Sequence, residues 1–179
     1  GGYAYAVLMV FFGSSIFIGR LDKDAPKETR TSIQVLANSI LATLMAVLYG
    51  STGELIFLAM FVASVGVSAA DTWASELGKR STSRPFHIFK FKRVDKGLSG
   101  AVSIRGIIAS LAAGLTFAFL ASFRIESFIL VFLVGAFSFL GSIIDSMLGT
   151  IQVKYIHKIS NIITEEKSHL TEYYSGIKY

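Results

Sequence analysis

The chain has no cysteine and only three histidines, His87, His157 and His169. The first absence excludes a disulfide scaffold and any thiolate metal site, and the second leaves too little imidazole for a histidine-ligated single-metal centre. Charge is scarce as well. Of the 179 residues 16% are Asp, Glu, Lys or Arg and 53% are hydrophobic, with a mean hydropathy of +0.60. A soluble domain of this length carries more charge, so the chain reads as an integral membrane protein whose metal chemistry, if any, uses hard oxygen ligands. No internal repeat, low-complexity stretch or cleavable signal peptide is evident.

Five apolar segments are present, at 3–18, 33–49, 55–70, 98–123 and 127–151, set against the roughly 20 residues that a helix needs to cross a bilayer. They predict an all-α, polytopic helical protein of about five transmembrane helices, forming a single integral membrane domain over 1–179. Because the chain opens on Gly1-Gly2 and stops in a polar tail at Tyr179, a further helix of a longer protein is expected at one end or both. Nothing reads as a strand of consequence.

The basic residues set an orientation. Loops 19–32 and 78–97 hold four and seven Lys or Arg and the tail 152–179 holds four, whereas turn 50–54 has none and Arg124 alone lies on that side. Basic loops stay cytoplasmic, so both loops and the tail are predicted there, in the cell membrane if the source is prokaryotic. The same distribution accounts for 17 basic against 12 acidic residues without any nucleic acid as partner.

Polar side chains then gather at one membrane face. The second segment presents Arg30, Gln34 and Asn38 at four-residue spacing, on one stripe of a helix. The third ends on Asp71-Thr72-Trp73-Ala74-Ser75-Glu76-Leu77-Gly78, followed by Lys79 and Arg80. An acid beside hydrocarbon costs roughly 2.5–3.5 kcal/mol on insertion scales, so Asp71 should face a cavity, a cation or a partner charge. The fourth segment opens on Gly97-Leu98-Ser99-Gly100-Ala101-Val102-Ser103, preceded by Lys96, and reads as a helix N-terminus where glycines let a phosphate approach the backbone. The fifth brings Asp145, then Gln152, to similar depth. Asp71, Glu76 and Asp145 suit Mg²⁺, and Lys79, Arg80, Lys92, Arg93, Lys96 and Arg105 can neutralise phosphates. Duller roles exist for several of these: a Glu76–Arg80 ion pair, Gly106, Ser110 and Gly114 as a packing face, and Trp73 as an interfacial anchor.

Taken in order, Gln34-Val35-Leu36-Ala37-Asn38, the Asp71 to Gly78 run, the Gly97 to Ser103 run and Gly141-Ser142-Ile143-Ile144-Asp145-Ser146-Met147-Leu148-Gly149 with Gln152 resemble the transmembrane protein 19 family. This is an integral membrane family, long described as domain of unknown function 92, that includes the plant phytyl-phosphate kinase. Leu98 stands where the family usually has Thr. The resemblance implies a kinase that converts an isoprenoid monophosphate of phytyl or geranylgeranyl type to the diphosphate, with CTP or another nucleoside triphosphate as donor. On that expectation Asp71, Glu76 and Asp145 are catalytic and bind Mg²⁺, while Gln34, Asn38, Lys79, Arg80, Lys96, Gly97, Ser99, Gly100, Ser103 and Gln152 bind nucleotide or phosphate. The expected partners are the two substrates and the bilayer, with self-association left open. Two other functions compete: a CTP-dependent cytidylyltransferase acting on a lipid phosphate, and an ion or small-molecule transporter.

Overall fold

The computed structural model describes residues 1–21, 32–88, 92–94, 100–151, 154–157, 163–164 and 171–175. Among these residues five helices form in chain order: α1 (Gly2–Arg20), α2 (Ser32–Thr52), α3 (Leu55–Lys79), α4 (Ile104–Ser122) and α5 (Phe128–Gly149). Four of them, α1, α3, α4 and α5, are long and apolar enough to cross a membrane, and α2 has an apolar piece at Ser39–Thr52. In hydrocarbon each backbone donor and acceptor must be satisfied within its own segment, which is why such runs become helices.

Their ends carry local stop and start signals. α2 closes on Gly53, whose φ of 75° is the left-handed cap conformation, with its N–H on the Tyr49 carbonyl at 2.9 Å. Ser103 and Ser127 are the N-caps of α4 and α5, their hydroxyls accepting from the N–H of Gly106 at 3.1 Å and of Leu130 at 3.4 Å.

α3 is the central helix, touching all four others and packing most extensively on α4 and α5. Its core lies toward the end where it begins: Val62 of α3 and Phe117 of α4 are wholly buried, with Val134 of α5 and Ile125 at 1% exposure. At that end the Tyr3 hydroxyl donates to the Leu120 carbonyl at 2.8 Å and the Arg124 guanidinium lies 5.9 Å over the Tyr3 ring. Helices α1, α3 and α5 therefore start together, and their other ends meet the start of α4.

Small residues allow the close approaches. A Cβ added at Gly66 would overlap the Ser138 hydroxyl and come within 3.1 Å of Phe117 Cβ, and one at Gly114 would lie 2.8 Å from the Gly135 carbonyl oxygen. With Gly106 against the Ala74 carbonyl at 3.0 Å and Ser110 1% exposed, the stripe Gly106, Ser110, Gly114 is the packing face its spacing suggested. Gly66→Val is expected to cost about 1–3 kcal/mol by overpacking, read as a lower unfolding midpoint in detergent. An unchanged midpoint would contradict this α3–α5 spacing.

Two expectations are corrected. The fourth helix begins at Ile104 rather than Leu98, because Ala101–Val102 (β2) pairs antiparallel with Phe86–His87 (β1) before the Ser103 cap. The polar tail, read as free of strands, contains an antiparallel sheet of β3 (Lys154–His157), β4 (Ile163–Thr164) and β5 (Thr171–Ser175), in the order β4-β3-β5.

Candidate functional site at the basic end of the bundle

The ends of α1, α3 and α5 and the start of α4 come together where the basic residues cluster. The Arg80 guanidinium donates to the Ile18 carbonyl at 2.6 Å, and that of Arg105 donates to the Arg80 carbonyl at 2.8 Å. The Ser103 hydroxyl, besides capping α4, donates to the Gly78 carbonyl at 3.4 Å. Gly100, with φ of 81°, lies against the end of α5, where an added Cβ would come within 3.0 Å of Thr150 Cα. The Gly100–Ser103 stretch is thereby seated across the ends of α3 and α5.

Two of the three predicted metal ligands lie on one seam. Val67 of α3 meets Gly141 of α5, an added Cβ there lying 2.9 Å from Val67 Cγ1. One helical turn later each helix reaches a carboxylate, Asp71 on α3 and Asp145 on α5, on the same stripes. At about 1.5 Å per residue, Asp71 lies roughly 24 Å along α3 and Asp145 roughly 26 Å along α5, near the basic boundary of a hydrocarbon layer about 30 Å thick. Asp71 is half-buried and Asp145 exposed.

Glu76 is placed differently. Five residues beyond Asp71, it points roughly 140° away around the helix, and its Oε1 lies 3.9 Å from the Lys79 ammonium. Among the described residues no three His, Asp or Glu form a group that could hold a metal, so Asp71, Glu76 and Asp145 do not make a closed three-ligand cage. The ion pair that forms is Glu76–Lys79 rather than Glu76–Arg80. A pair at about 30% exposure contributes little; Glu76→Gln is therefore expected to change turnover only a few-fold, and a loss comparable to that from an Asp71 variant would restore it to the site.

Of the remaining predicted residues, Lys79 and Arg80 are both at this end. Arg80 faces α1, and the Ser103 hydroxyl is engaged in the cap. Gln34 and Asn38 are described by backbone alone, and Lys96, Gly97, Ser99 and Gln152 lie outside the described residues.

Sequence reasoning missed a cleft of ≈ 400 Å³ between α1, α3 and α4. Its walls are Ile18, Trp73, Leu77, Ile108, Ala109 and Ala112, and Arg80 and Arg105 complete it. Trp73, read as an interfacial anchor, instead turns toward α1, its indole N–H donating to the Ser14 hydroxyl at 3.2 Å. The sequence signals were Trp73, Leu77 and Arg80 on one stripe of α3 and Arg105, Ile108, Ala109 and Ala112 on one stripe of α4.

The family model for integral membrane protein DUF92 matches residues 1–179. Protein PGR of Arabidopsis thaliana is 30% identical to this chain, the match covering 98% of the chain and 74% of that protein. An uncharacterized membrane protein of Methanocaldococcus jannaschii is 33% identical over 62% of the chain and 49% of its own length. One from Synechocystis is 34% identical over 66% of the chain and 50% of its own length. The matches thus span about half the length of these two relatives. No solved structure matches.

Proposed function

The chain belongs to the DUF92 family of integral membrane proteins, and on that premise we propose that it is a membrane-embedded kinase, phosphorylating an isoprenoid monophosphate to the diphosphate at the cytoplasmic face. The observation that carries the reading is the α3–α5 seam: Val67 on Gly141, with Asp71 and Asp145 one turn beyond and Gly100 seated on Thr150. The resemblance of these stretches to a family that includes phytyl-phosphate kinase supplies the substrate class.

The donor is a nucleoside triphosphate, CTP or another, entering with Mg²⁺ on its phosphates. A donor set of two carboxylates fits that ion, which commonly takes one or two carboxylates and fills its octahedron with water and phosphate oxygens. Asp71 and Asp145 would hold it, and it would supply neutralisation of charge on the donor phosphates. Phosphoryl transfer asks mainly for positioning and charge stabilisation. An oxygen of the acceptor monophosphate forms the new bond to the γ-phosphorus, the bond from that phosphorus to the nucleoside diphosphate breaks, and the diphosphate leaves. The acceptor oxygen is already ionised, so no side chain is required as a base. Lys79 and Lys96 hold donor phosphates, Gln34, Asn38 and Gln152 orient the substrates, and the glycine- and serine-rich stretch before α4 contributes phosphate contacts.

The test is product analysis of the full protein in detergent with Mg²⁺, geranylgeranyl monophosphate and each of the four nucleoside triphosphates. A prenyl diphosphate with one nucleoside diphosphate is the expected result. A nucleotidyl-lipid with pyrophosphate would make the protein a cytidylyltransferase, and no product with any donor would direct attention to ion flux.

A further inference from the structure

The cleft between α1, α3 and α4 is a site of its own. On α4 the residues lining it, Arg105, Ile108, Ala109 and Ala112, share one face. Gly114, which meets Gly135 of α5, lies nine residues from Arg105, about half a turn around the helix. The body of α4 therefore stands between the cleft and α5, on which Asp145 sits. An occupant of the cleft is on the wrong side of α4 to react at the carboxylate seam.

Its chemistry is that of a lipid with an anionic head. From Arg105 to Ala112 the trough descends about 10 Å along α4, between Trp73 and Leu77 on one side and Ile108 and the two alanines on the other. The absence of long side chains at Ala109 and Ala112 makes the trough. At its membrane-boundary end stand two arginines, one the C-cap of α3 and the other the second residue of α4. Among the described residues no acid lines the cleft. The guanidiniums donate to neutral carbonyls, of Ile18 and Arg80, and a bond to a neutral carbonyl holds a guanidinium in place without neutralising its charge. Planar forks held this way are suited to the oxygens of a phosphate, and basic pockets between transmembrane helices at the cytoplasmic side take anionic lipid heads.

We propose that the α1–α3–α4 cleft binds an anionic membrane phospholipid, its phosphodiester on Arg80 and Arg105 and one acyl chain lying along Trp73, Ala109 and Ala112. The site is independent of the kinase reading, because the lipid is held and not consumed. Trp73, the single tryptophan of these 179 residues, lines the cleft and reports its occupancy.

The experiment uses the delipidated protein in neutral detergent, titrated with phosphatidylglycerol or phosphatidylcholine in mixed micelles. Trp73 emission is read after subtracting a Trp73→Phe blank. Phosphatidylglycerol is expected to give a saturable change, with phosphatidylcholine at least about tenfold weaker and Arg105→Gln erasing most of that preference. Arg105→Lys, which keeps the charge, should retain part of it. Ala112→Phe, at a position already exposed on α4 and so without a core to disrupt, should abolish the response to both lipids. Equal responses to the two lipids, or a preference that survives Arg105→Gln, would overturn the assignment. Displacement of phosphatidylglycerol by an equal concentration of geranylgeranyl monophosphate would overturn it too, by making the cleft the acceptor's. Product analysis on the same preparation keeps the two proposals separable, since turnover with a silent Trp73 would refute only the lipid site.

Discussion

Asp71→Asn is expected to lower turnover by at least about a hundred- to a thousandfold, the scale seen when a group that stabilises transition-state charge is removed, while the protein still folds. The amide keeps the size and polarity of the carboxylate at a half-buried position one turn beyond the Val67–Gly141 contact. What it removes is the negative charge that would attract a phosphate-borne cation. Asp145→Asn should behave alike, and the double variant should lose little more than either single one, because residues acting as one unit are not additive. The check is initial rate with prenyl monophosphate together with the unfolding midpoint in detergent. A variant with normal rate would remove Asp71 from the chemistry, whereas a variant that falls apart would assign it a packing role.

The second large effect is expected at Gly100. Its φ of 81° lies in the region that suits glycine, and an added Cβ would meet Thr150 at its side chain, Cα and N, the last at 3.1 Å. Gly100→Ala must therefore lift the Gly100–Ser103 stretch from the end of α5 or strain it in place. Gly100 lies outside every described helix, three residues before the Ser103 cap of α4, so helical content by circular dichroism should stay within error. Turnover should fall by about tenfold or more with a raised KM for the nucleotide, as expected when a positioning segment is displaced by an ångström or so. Unaltered kinetics would show that the stretch takes no part in substrate binding, and its glycine would then be explained by the close approach to Thr150 alone.

The helices were legible because hydrocarbon leaves an apolar run few alternatives, and the meeting of their ends because basic loops alternate with nearly uncharged turns. Asp71 and Asp145 stood out for the cost of placing an acid there. The start of α4 was misread because Gly97 to Ser103 is rich in glycine and serine, equally at home in a loop, a strand or a helix start. What decides it is the pairing of Ala101–Val102 with the distant Phe86–His87, a contact that periodicity does not encode. The tail strands escaped for the same reason, as short polar pairings without a long apolar run. Glu76 and Asp71 close one helix, which groups them in the sequence, yet their five-residue spacing turns one away from the other. The cleft required knowing that the Trp73 stripe of α3 and the Ala112 stripe of α4 face each other beside α1, which only the packed bundle supplies.

Whether Asp71 and Asp145 share a seam is directly testable, because the 179 residues include no cysteine. Asp71→Cys and Asp145→Cys are introduced together, and the protein in its membrane is treated with a short bis-thiol reagent, with the Glu76→Cys and Asp145→Cys pair as control. Rapid intramolecular cross-linking of the first pair is expected, with protection of it by Mg²⁺ and the accepted nucleotide and little cross-linking of the control. Failure of the first pair to cross-link, or equal cross-linking of both, would contradict the seam and with it the assignment of these two carboxylates to one site.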